Sequence, residues 1–266
     1  MSETLTRSIS GIVYIVLLIG ATLNSNWSFD LLMLFFLFVG IYEFSKLYST
    51  NLIGSILIGI FFTFPLINNT ILFQNLIPYV LIFEIPFLIF LIFDLFKGDF
   101  KIYKNKVIKY LFLLGYVIFP FLILTQLPLI HKSYEPKIVI GMFILIWNND
   151  TFAYICGKSF GKRKLFEKMS PKKTIEGFVG GLIFTLIASY ILSIYFTFFD
   201  LKTWLLTAVL VSSLGTIGDL VESKFKRQAN IKDSGSIMPG HGGILDRLDS
   251  VIFATPFLFL IYLILK

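Results

Sequence analysis

The sequence predicts an all-α, polytopic transmembrane protein with about nine transmembrane helices and a cytoplasmic N-terminus. Of its 266 residues, 56% are hydrophobic and 15% are charged, and the mean hydropathy is +0.84. Ordinary soluble domains carry about 25% charged residues. A single core cannot bury so much apolar surface at this length, so the excess must face lipid. The composition therefore excludes a soluble globular domain and an intrinsically disordered chain.

Apolar stretches bounded by charged residues give the candidate transmembrane segments. In chain order they are 9–24, 29–45, 52–67, 77–96, 110–130, 138–157, 177–199, 203–222 and 250–265. The first, third and last are short for a bilayer that takes about 20 helical residues, so tilted, interfacial or re-entrant segments are alternatives for them. The first is also similar to a signal peptide, because Arg7 precedes an apolar run. No clean cleavage site follows, and we interpret it as a retained helix.

The distribution of lysine and arginine sets the predicted orientation. Counted over alternate loops, 19 of the 23 lie on the side of the N-terminus and four on the other side. Cytoplasmic loops carry the excess of positive charge, so the N-terminus and the loops after the sixth and eighth segments are predicted to be cytoplasmic. The net charge of +7 then reflects topology and whatever these two loops bind, and it does not indicate a nucleic-acid partner.

No repeat, low-complexity tract or long linker divides the chain, so residues 1–266 are predicted to form a single integral membrane domain. Residues 1–145 resemble a plain scaffold of hydrophobic helices, residues 146–250 hold most of the unusual residues, and residues 250–266 form the last transmembrane helix. Cys156 is the only cysteine, so no intrachain disulfide can form, and we interpret it as a small apolar residue.

Polar residues end the sixth segment, where a lipid-facing helix would have Leu or Phe. The run is Asn148-Asn149-Asp150-Thr151. A carboxylate at membrane depth costs about 2.5–3.5 kcal/mol on insertion scales, so it usually faces a partner or a watered cavity. We predict that Asn149 and Asp150 line such a cavity. A solvated helix end just outside the membrane is the alternative.

The basic loop that follows, from Gly157 to Gly177, mixes glycines with cations and contains Ser170-Pro171-Lys172-Lys173. Glycine lets the backbone approach an anion closely, and lysine supplies positive charge. This combination favours a phosphate-binding loop. A loop that is basic only because of its topology is the alternative.

Charged residues also run off the end of the eighth segment. Asp219, Glu222 and Lys226 recur at three- and four-residue spacings, which places them on one face of a helix. Such a stripe is typical of an ion or substrate path. An exposed intrahelical ion pair at the membrane interface is the alternative.

The loop before the last segment is rich in glycine around His241 and leads into Asp246 and Asp249, which would share one helix face. Oxygen ligands without a second His or Cys favour Mg²⁺ over zinc or iron. Carboxylates beside Lys and Arg are typical of phosphoryl or nucleotidyl transfer. His241 could act as an acid or base, donate a hydrogen bond to a phosphate, or cap a turn.

The run from Ser223 to Asp249 resembles the signature of the phosphatidate cytidylyltransferase family, also called CDP-diacylglycerol synthases. It reads Ser-Lys-Phe-Lys-Arg, four residues, Lys-Asp-Ser-Gly, three residues, and Pro-Gly-His-Gly-Gly-Ile-Leu-Asp-Arg-Leu-Asp. Asn149-Asp150-Thr151 and the run from Ser170 to Gly177 are also similar to the family pattern. The resemblance covers about residues 147–250, and the first half resembles the family only in its hydrophobic helices.

The resemblance implies a nucleotidyltransferase in phospholipid biosynthesis that converts CTP and phosphatidate to CDP-diacylglycerol and pyrophosphate. It implies a multi-pass protein of the cell membrane whose active site faces the cytoplasm, with Mg²⁺ as cofactor; a second metal or a monovalent ion is left open. The expected metal ligands and catalytic carboxylates are Asp219, Asp246 and Asp249, with His241 as a further catalytic or substrate-contact residue. The expected substrate-binding residues are Ser170, Lys172, Lys173, Lys226, Arg227, Lys232, Arg247, Asn149 and Asp150.

Two other functions stay open at this point. A CTP-dependent lipid kinase acting on a polyprenol would need similar residues. A polytopic transporter would also have intramembrane acids, but transporters commonly show paired repeats with broken helices in both halves, whereas here the unusual residues lie in the second half. Membrane lipid is an expected partner. A homodimer is plausible because short helices leave apolar surface, although the spacing of Gly177 and Gly181 is too weak a signal to establish one.

Overall fold

The computed structural model describes residues 3–68, 70–97, 105–240 and 242–265. The helices are α1 Glu3–Asn24, α2 Asn26–Tyr48, α3 Leu52–Asn68, α4 Thr70–Lys97, α5 Lys106–Leu113, α6 Phe119–Gln126, α7 Pro136–Phe160, α8 Ile175–Tyr195, α9 Leu201–Gln228 and α10 Leu245–Leu265. A π-helical turn over Leu114–Ile118 joins α5 to α6, and a 3-10 turn over Leu127–Leu129 follows α6. Strands β1 Lys164–Phe166 and β2 Ser170–Thr174 form an antiparallel hairpin.

The described residues form nine continuous helical segments, since α5 and α6 are one helix, and each overlaps one predicted transmembrane segment. Seven are long and apolar enough to cross a membrane, and the apolar parts of the first and third, Ser8–Asn24 and Leu52–Ile67, are shorter, as predicted. The last segment was also predicted to be short, but Leu245–Leu265 has 21 residues and is long enough to cross. The protein is therefore an all-α polytopic membrane protein with one small hairpin.

Several predicted boundaries differ from the structure by more than four residues, at the starts of α1, α4 and α10 and at the end of α9. The last helix begins at Leu245 rather than at residue 250, because the carboxylate of Asp246 favours the positive end of a helix and extends the first turn. The loop predicted from Gly157 begins only after Phe160, where α7 ends, and most of its second half forms the hairpin.

Close packing of α7, α8, α9 and α10 holds the second half of the chain together. Gly218 on α9 lies against α10, and a Cβ added there would lie 2.6 Å from the Asp249 carbonyl oxygen. Gly177 on α8 lies against α7 in the same way, 2.7 Å from the Ala153 carbonyl oxygen. These small residues let the backbones approach closely, as in many membrane proteins. Asp219, the residue after Gly218, is thereby brought beside Asp249.

The first half of the chain anchors the end of α9. Lys224, 1% exposed, places its Nζ 2.6 Å from Asp94 Oδ2 on α4. The Tyr48 hydroxyl on α2 donates to Gln228 Oε1 over 3.2 Å. The ring of Phe225 packs edge-on against Tyr116, with ring centroids 4.9 Å apart. The first half is therefore more than a separate scaffold, because it fixes where α9 ends.

Candidate active site

A cavity of about 880 Å³ lies between α1, α7, the hairpin, α8, α9 and α10. Its charged and polar lining residues, called the charged wall below, include Asn149, Asp150, Lys172, Lys173, Asp219, Asp246, Arg247 and Asp249. Its apolar and aromatic lining residues, called the apolar wall, include Tyr14, Ile15, Ile146, Trp147, Tyr154 and Phe178. The cavity can therefore accept a molecule with an anionic head and an apolar body.

The polar end of α7 supplies the first group of cavity residues. Asn149 is buried, with 4% of its surface exposed, and Asp150 is exposed on the cavity wall. Both lie well inside a helix that continues to Phe160. Asp150 is therefore not at the end of its helix.

The hairpin brings lysines to the cavity. Lys173 on β2 places its Nζ 2.5 Å from Asp219 Oδ2 on α9. Glu176 secures the start of the hairpin, because its Oε2 accepts hydrogen bonds from the backbone N–H groups of Lys162 and Arg163 over 3.0 and 3.1 Å. Lys172 lies on the same wall as Lys173. Two adjacent lysines thus face the cavity from a fixed strand.

Three carboxylates come together from three different helices. Asp150 on α7, Asp219 on α9 and Asp249 on α10 line the cavity, and Asp219 and Asp150 are close enough to Asp249 to repel it electrostatically. Lys173 also lies within electrostatic range of Asp249 and attracts it. Like charges held this close favour binding of a cation.

Asp246 is held by several hydrogen bonds at the start of α10. Its Oδ1 accepts from Lys226 Nζ over 2.6 Å. Its Oδ2 accepts from the backbone N–H groups of Ser234 and Gly243 over 2.8 and 2.7 Å. Asp246 therefore organises the loop between α9 and α10 as well as reaching the cavity wall.

The predicted charged stripe on α9 is present, but its far end is buried. Lys226 Nζ lies 2.5 Å from Glu222 Oε2, and Glu222 is 2% exposed. The same Nζ contacts Asp246. The pair is thus part of a buried network and not the exposed interface pair considered above.

The remaining predicted site residues are not placed on the cavity wall. Among the described residues, Ser170, Lys226, Arg227 and Lys232 do not line the cavity. Lys226 is behind Asp246, whereas Arg227 and Lys232 are exposed. His241 lies outside the described residues. Its neighbours Gly240 and Gly242 have φ values of +75° and +82°, a region that favours glycine, so here the motif glycines serve a tight turn.

Sequence reasoning missed two residues of the first half. Tyr14 on α1 lines the cavity, and its buried hydroxyl has no hydrogen-bond partner among the described residues. Glu43 on α2 accepts hydrogen bonds from the start of α10. An acid within an apolar segment was a signal available for Glu43. Tyr14 is the one aromatic residue of α1, but a single tyrosine in an apolar helix does not by itself indicate a site.

The donor set suits a hard divalent cation. No three His, Cys, Asp or Glu side chains in the described ranges already form a metal-binding group. Asp150, Asp219 and Asp249 nevertheless face one cavity and offer only oxygen donors, which are the ligands that Mg²⁺ prefers. The residues present therefore fit Mg²⁺ by chemistry and charge.

Comparison with known proteins identifies the family. The sequence pattern described as "Cytidylyltransferase family" matches residues 5–265. The chain belongs to the cytidylyltransferase family. The match includes α1 and α2, so Tyr14 and Glu43 lie within the matched range.

Several members with a curated name are similar over part of their length. The chain is 51% identical over 122 residues to the "Phosphatidate cytidylyltransferase" of Staphylococcus haemolyticus (strain JCSC1435), covering 45% of this chain and 46% of that protein. The chain is 50% identical over 122 residues to the protein of the same name from Staphylococcus aureus (strain COL), covering 45% of this chain and 46% of that protein. It is 44% identical over 129 residues to that of Staphylococcus epidermidis (strain ATCC 35984), covering 48% of this chain and 49% of that protein. The aligned part of the chain thus spans about half the length of these relatives.

Proposed function

We propose that this member of the cytidylyltransferase family transfers the cytidylyl group of CTP to phosphatidate, forming CDP-diacylglycerol and pyrophosphate. The observation that carries the proposal is the cavity with one charged and one apolar wall. Phosphatidate has a phosphate head and two acyl chains, so it matches both walls. The relatives named phosphatidate cytidylyltransferase support the same reaction.

The chemistry needs no protein nucleophile. A phosphate oxygen of phosphatidate attacks the α-phosphorus of CTP, a new P–O bond forms, and the bond from the α-phosphorus to the bridging oxygen of the β-phosphate breaks. The electron pair leaves with pyrophosphate. Lys172, Lys173 and Arg247 line the cavity and would neutralise the phosphates. Tyr14 also lines the cavity, and its hydroxyl, which has no hydrogen-bond partner among the described residues, would donate to the lipid head.

Mg²⁺ is the proposed cofactor. Asp219, Asp246 and Asp249 would hold it, and Asp150 lines the same cavity as a further oxygen donor. When bound, it supplies positive charge to the phosphate oxygens. The protein's own part is to hold these carboxylates beside Lys173, so that CTP and lipid phosphate are oriented toward each other.

The site is proposed to face the cytoplasm from the cell membrane. The 19 cations on the side of the N-terminus include those of the hairpin and of the loop between α9 and α10. CTP is cytoplasmic, and phosphatidate would present its phosphate from the inner leaflet. Both substrates would then reach the charged wall from the same side.

The test is product analysis with purified protein in detergent, using CTP labelled at either the α- or the γ-phosphate. We expect the α label in lipid when phosphatidate is supplied, and no transfer when EDTA removes Mg²⁺. The γ label in lipid with a polyprenol would instead show a kinase. Substrate flux in proteoliposomes without CTP turnover would show a transporter.

A further inference from the structure

A carboxylate from the first half of the chain holds the start of α10. Glu43 on α2 is 2% exposed. Its Oε1 accepts from the Ile244 N–H over 3.0 Å, and its Oε2 accepts from the Leu245 N–H and the Ser234 hydroxyl, each over 3.0 Å. Both carboxylate oxygens of this buried side chain therefore have hydrogen-bond donors.

These hydrogen bonds lie at the N-terminus of α10. The first N–H groups of a helix have no partner within the helix, and the helix dipole favours negative charge at this end. Ile244 and Leu245 supply two such groups at the first turn of α10. Glu43 thus acts as a cap that comes from about 200 residues away in the chain.

Two glycines of the signature loop make room for this carboxylate. A Cβ added at Gly235 or Gly243 would collide with the Glu43 carboxyl group. Glycine lets a backbone approach an anion closely. At Gly235 and Gly243 that anion is the carboxylate of Glu43.

The Ser234 hydroxyl connects Glu43 to the cavity. It lies 3.0 Å from Glu43 Oε2 and 3.0 Å from Asp246 Oδ2, and its single proton is shared between the two carboxylates. Asp246 and Asp249 follow within the first turns of α10. A shift of this helix start would therefore move both carboxylates of the proposed metal site.

We propose that Glu43 is a positioning residue of the active site, which fixes the start of α10 and through it the carboxylates of Asp246 and Asp249. This inference rests on the proposed function for its effect on catalysis. Glu43 is not among the described residues that line the cavity, so it acts through α10 and does not contact substrate.

Glu43→Gln is the variant that tests this role. It keeps the size of the side chain but replaces one acceptor by an NH₂ donor, which would face an N–H or hydroxyl donor of the loop. The matched control is Glu84→Gln on α4. Glu84 is also buried, and neither of its carboxylate oxygens has a partner in the described part of the chain, so this change removes no described hydrogen bond.

Two measurements are made on each variant: kinetics of CDP-diacylglycerol formation, and hydrogen exchange of the peptide spanning residues 234–248. For Glu43→Gln we expect kcat to fall about 10- to 100-fold, the range found when partners that orient metal ligands are removed, with KM for CTP changed less than about threefold. The amides of Ile244 and Leu245 should exchange at least about tenfold faster. Glu84→Gln should match the wild type in both.

The outcomes separate the two proposals. Wild-type protein that makes no CDP-diacylglycerol overturns the proposed function, and the exchange rates still show whether Glu43 holds α10. Unchanged exchange or unchanged kcat in Glu43→Gln overturns the positioning role. If Glu43→Gln does not fold, Ser234→Ala is measured instead. We then expect a smaller rise in the exchange rate and a smaller fall in kcat. No change in either quantity overturns the inference.

Discussion

The carboxylates of Asp246 and Asp219 lie on one cavity wall but have different surroundings. Asp246 has a side chain 5% exposed and accepts hydrogen bonds from Lys226, Ser234 and Gly243. Asp219 is 34% exposed and its ion-pair partner Lys173 is 29% exposed. The same substitution should therefore affect folding at one position and not at the other.

We predict that Asp219→Asn and Asp246→Asn both reduce activity at least 100-fold, but that only Asp246→Asn destabilises the protein. A buried donor left without its acceptor costs about 1–3 kcal/mol. A partly exposed ion pair contributes about 0–1 kcal/mol. Thermal unfolding in detergent, followed by tryptophan fluorescence, measures stability, and the labelled-CTP assay measures activity. Full activity of Asp219→Asn would remove Asp219 from the proposed metal site.

Tyr14 gives a prediction about the lipid substrate alone. Its hydroxyl is buried, lies on the cavity wall, and has no partner among the described residues. If it donates to the lipid head, Tyr14→Phe should raise KM for phosphatidate about three- to tenfold, the effect of one hydrogen bond, and leave KM for CTP unchanged. Tyr79→Phe, at a side chain that is 70% exposed on α4, is the control. An equal rise in KM for CTP would argue against a lipid contact.

At the scale of elements, the hairpin is the feature that the sequence did not predict. Residues 164–174 contain four lysines and a proline, residue types that are depleted in strands, and the run lacks alternating hydrophobicity. Its shape depends on Glu176, which binds the backbone at Lys162 and Arg163 from the start of α8. A contact across 13 or 14 residues leaves no periodic pattern to find.

Glu176→Gln should loosen the hairpin without disturbing the helices. The Gln side chain loses the ionised acceptor for the two N–H groups and for Arg163 Nε, which lies 3.2 Å from Oε1. We expect trypsin to cut between residues 162 and 164 several-fold faster, and KM for CTP to rise because Lys172 and Lys173 are less well fixed. Glu167→Gln, exposed in the hairpin turn, is the control. Equal cleavage of both variants would contradict this role for Glu176.

The helices, by contrast, were predictable from composition. An apolar stretch of about 20 residues has few options in a bilayer other than a helix, because backbone groups must be satisfied internally. The nine predicted segments therefore overlap the nine continuous helical segments of the described residues, and errors occur at their ends, where charged residues such as Asp246 extend a helix. The contact of Glu43 with α10 could not be predicted, since it depends on how distant helices pack.

At the scale of the whole molecule, the site is built across both halves. The second half supplies the carboxylates and lysines of the cavity, and α1 closes one side of it. Glu43 and Asp94 hold the two ends of the loop between α9 and α10, since Asp94 binds Lys224 on α9. Large apolar side chains such as Phe61, 72% exposed, cover the outside and would face lipid. Both halves of the chain therefore contribute residues that form or support the site.

The predicted orientation of this unit can be tested directly, because Cys156 is the only cysteine. In a Cys156→Ser background, Lys168→Cys places a thiol in the exposed hairpin turn, and Lys132→Cys places one in the exposed loop before α7. The 19 to 4 division of cations predicts that these positions lie on opposite sides of the membrane. A membrane-impermeant maleimide should label residue 132 in intact cells and residue 168 only in inverted vesicles. The reverse pattern would place the charged wall on the outside, away from CTP, and would contradict the proposed reaction together with the orientation.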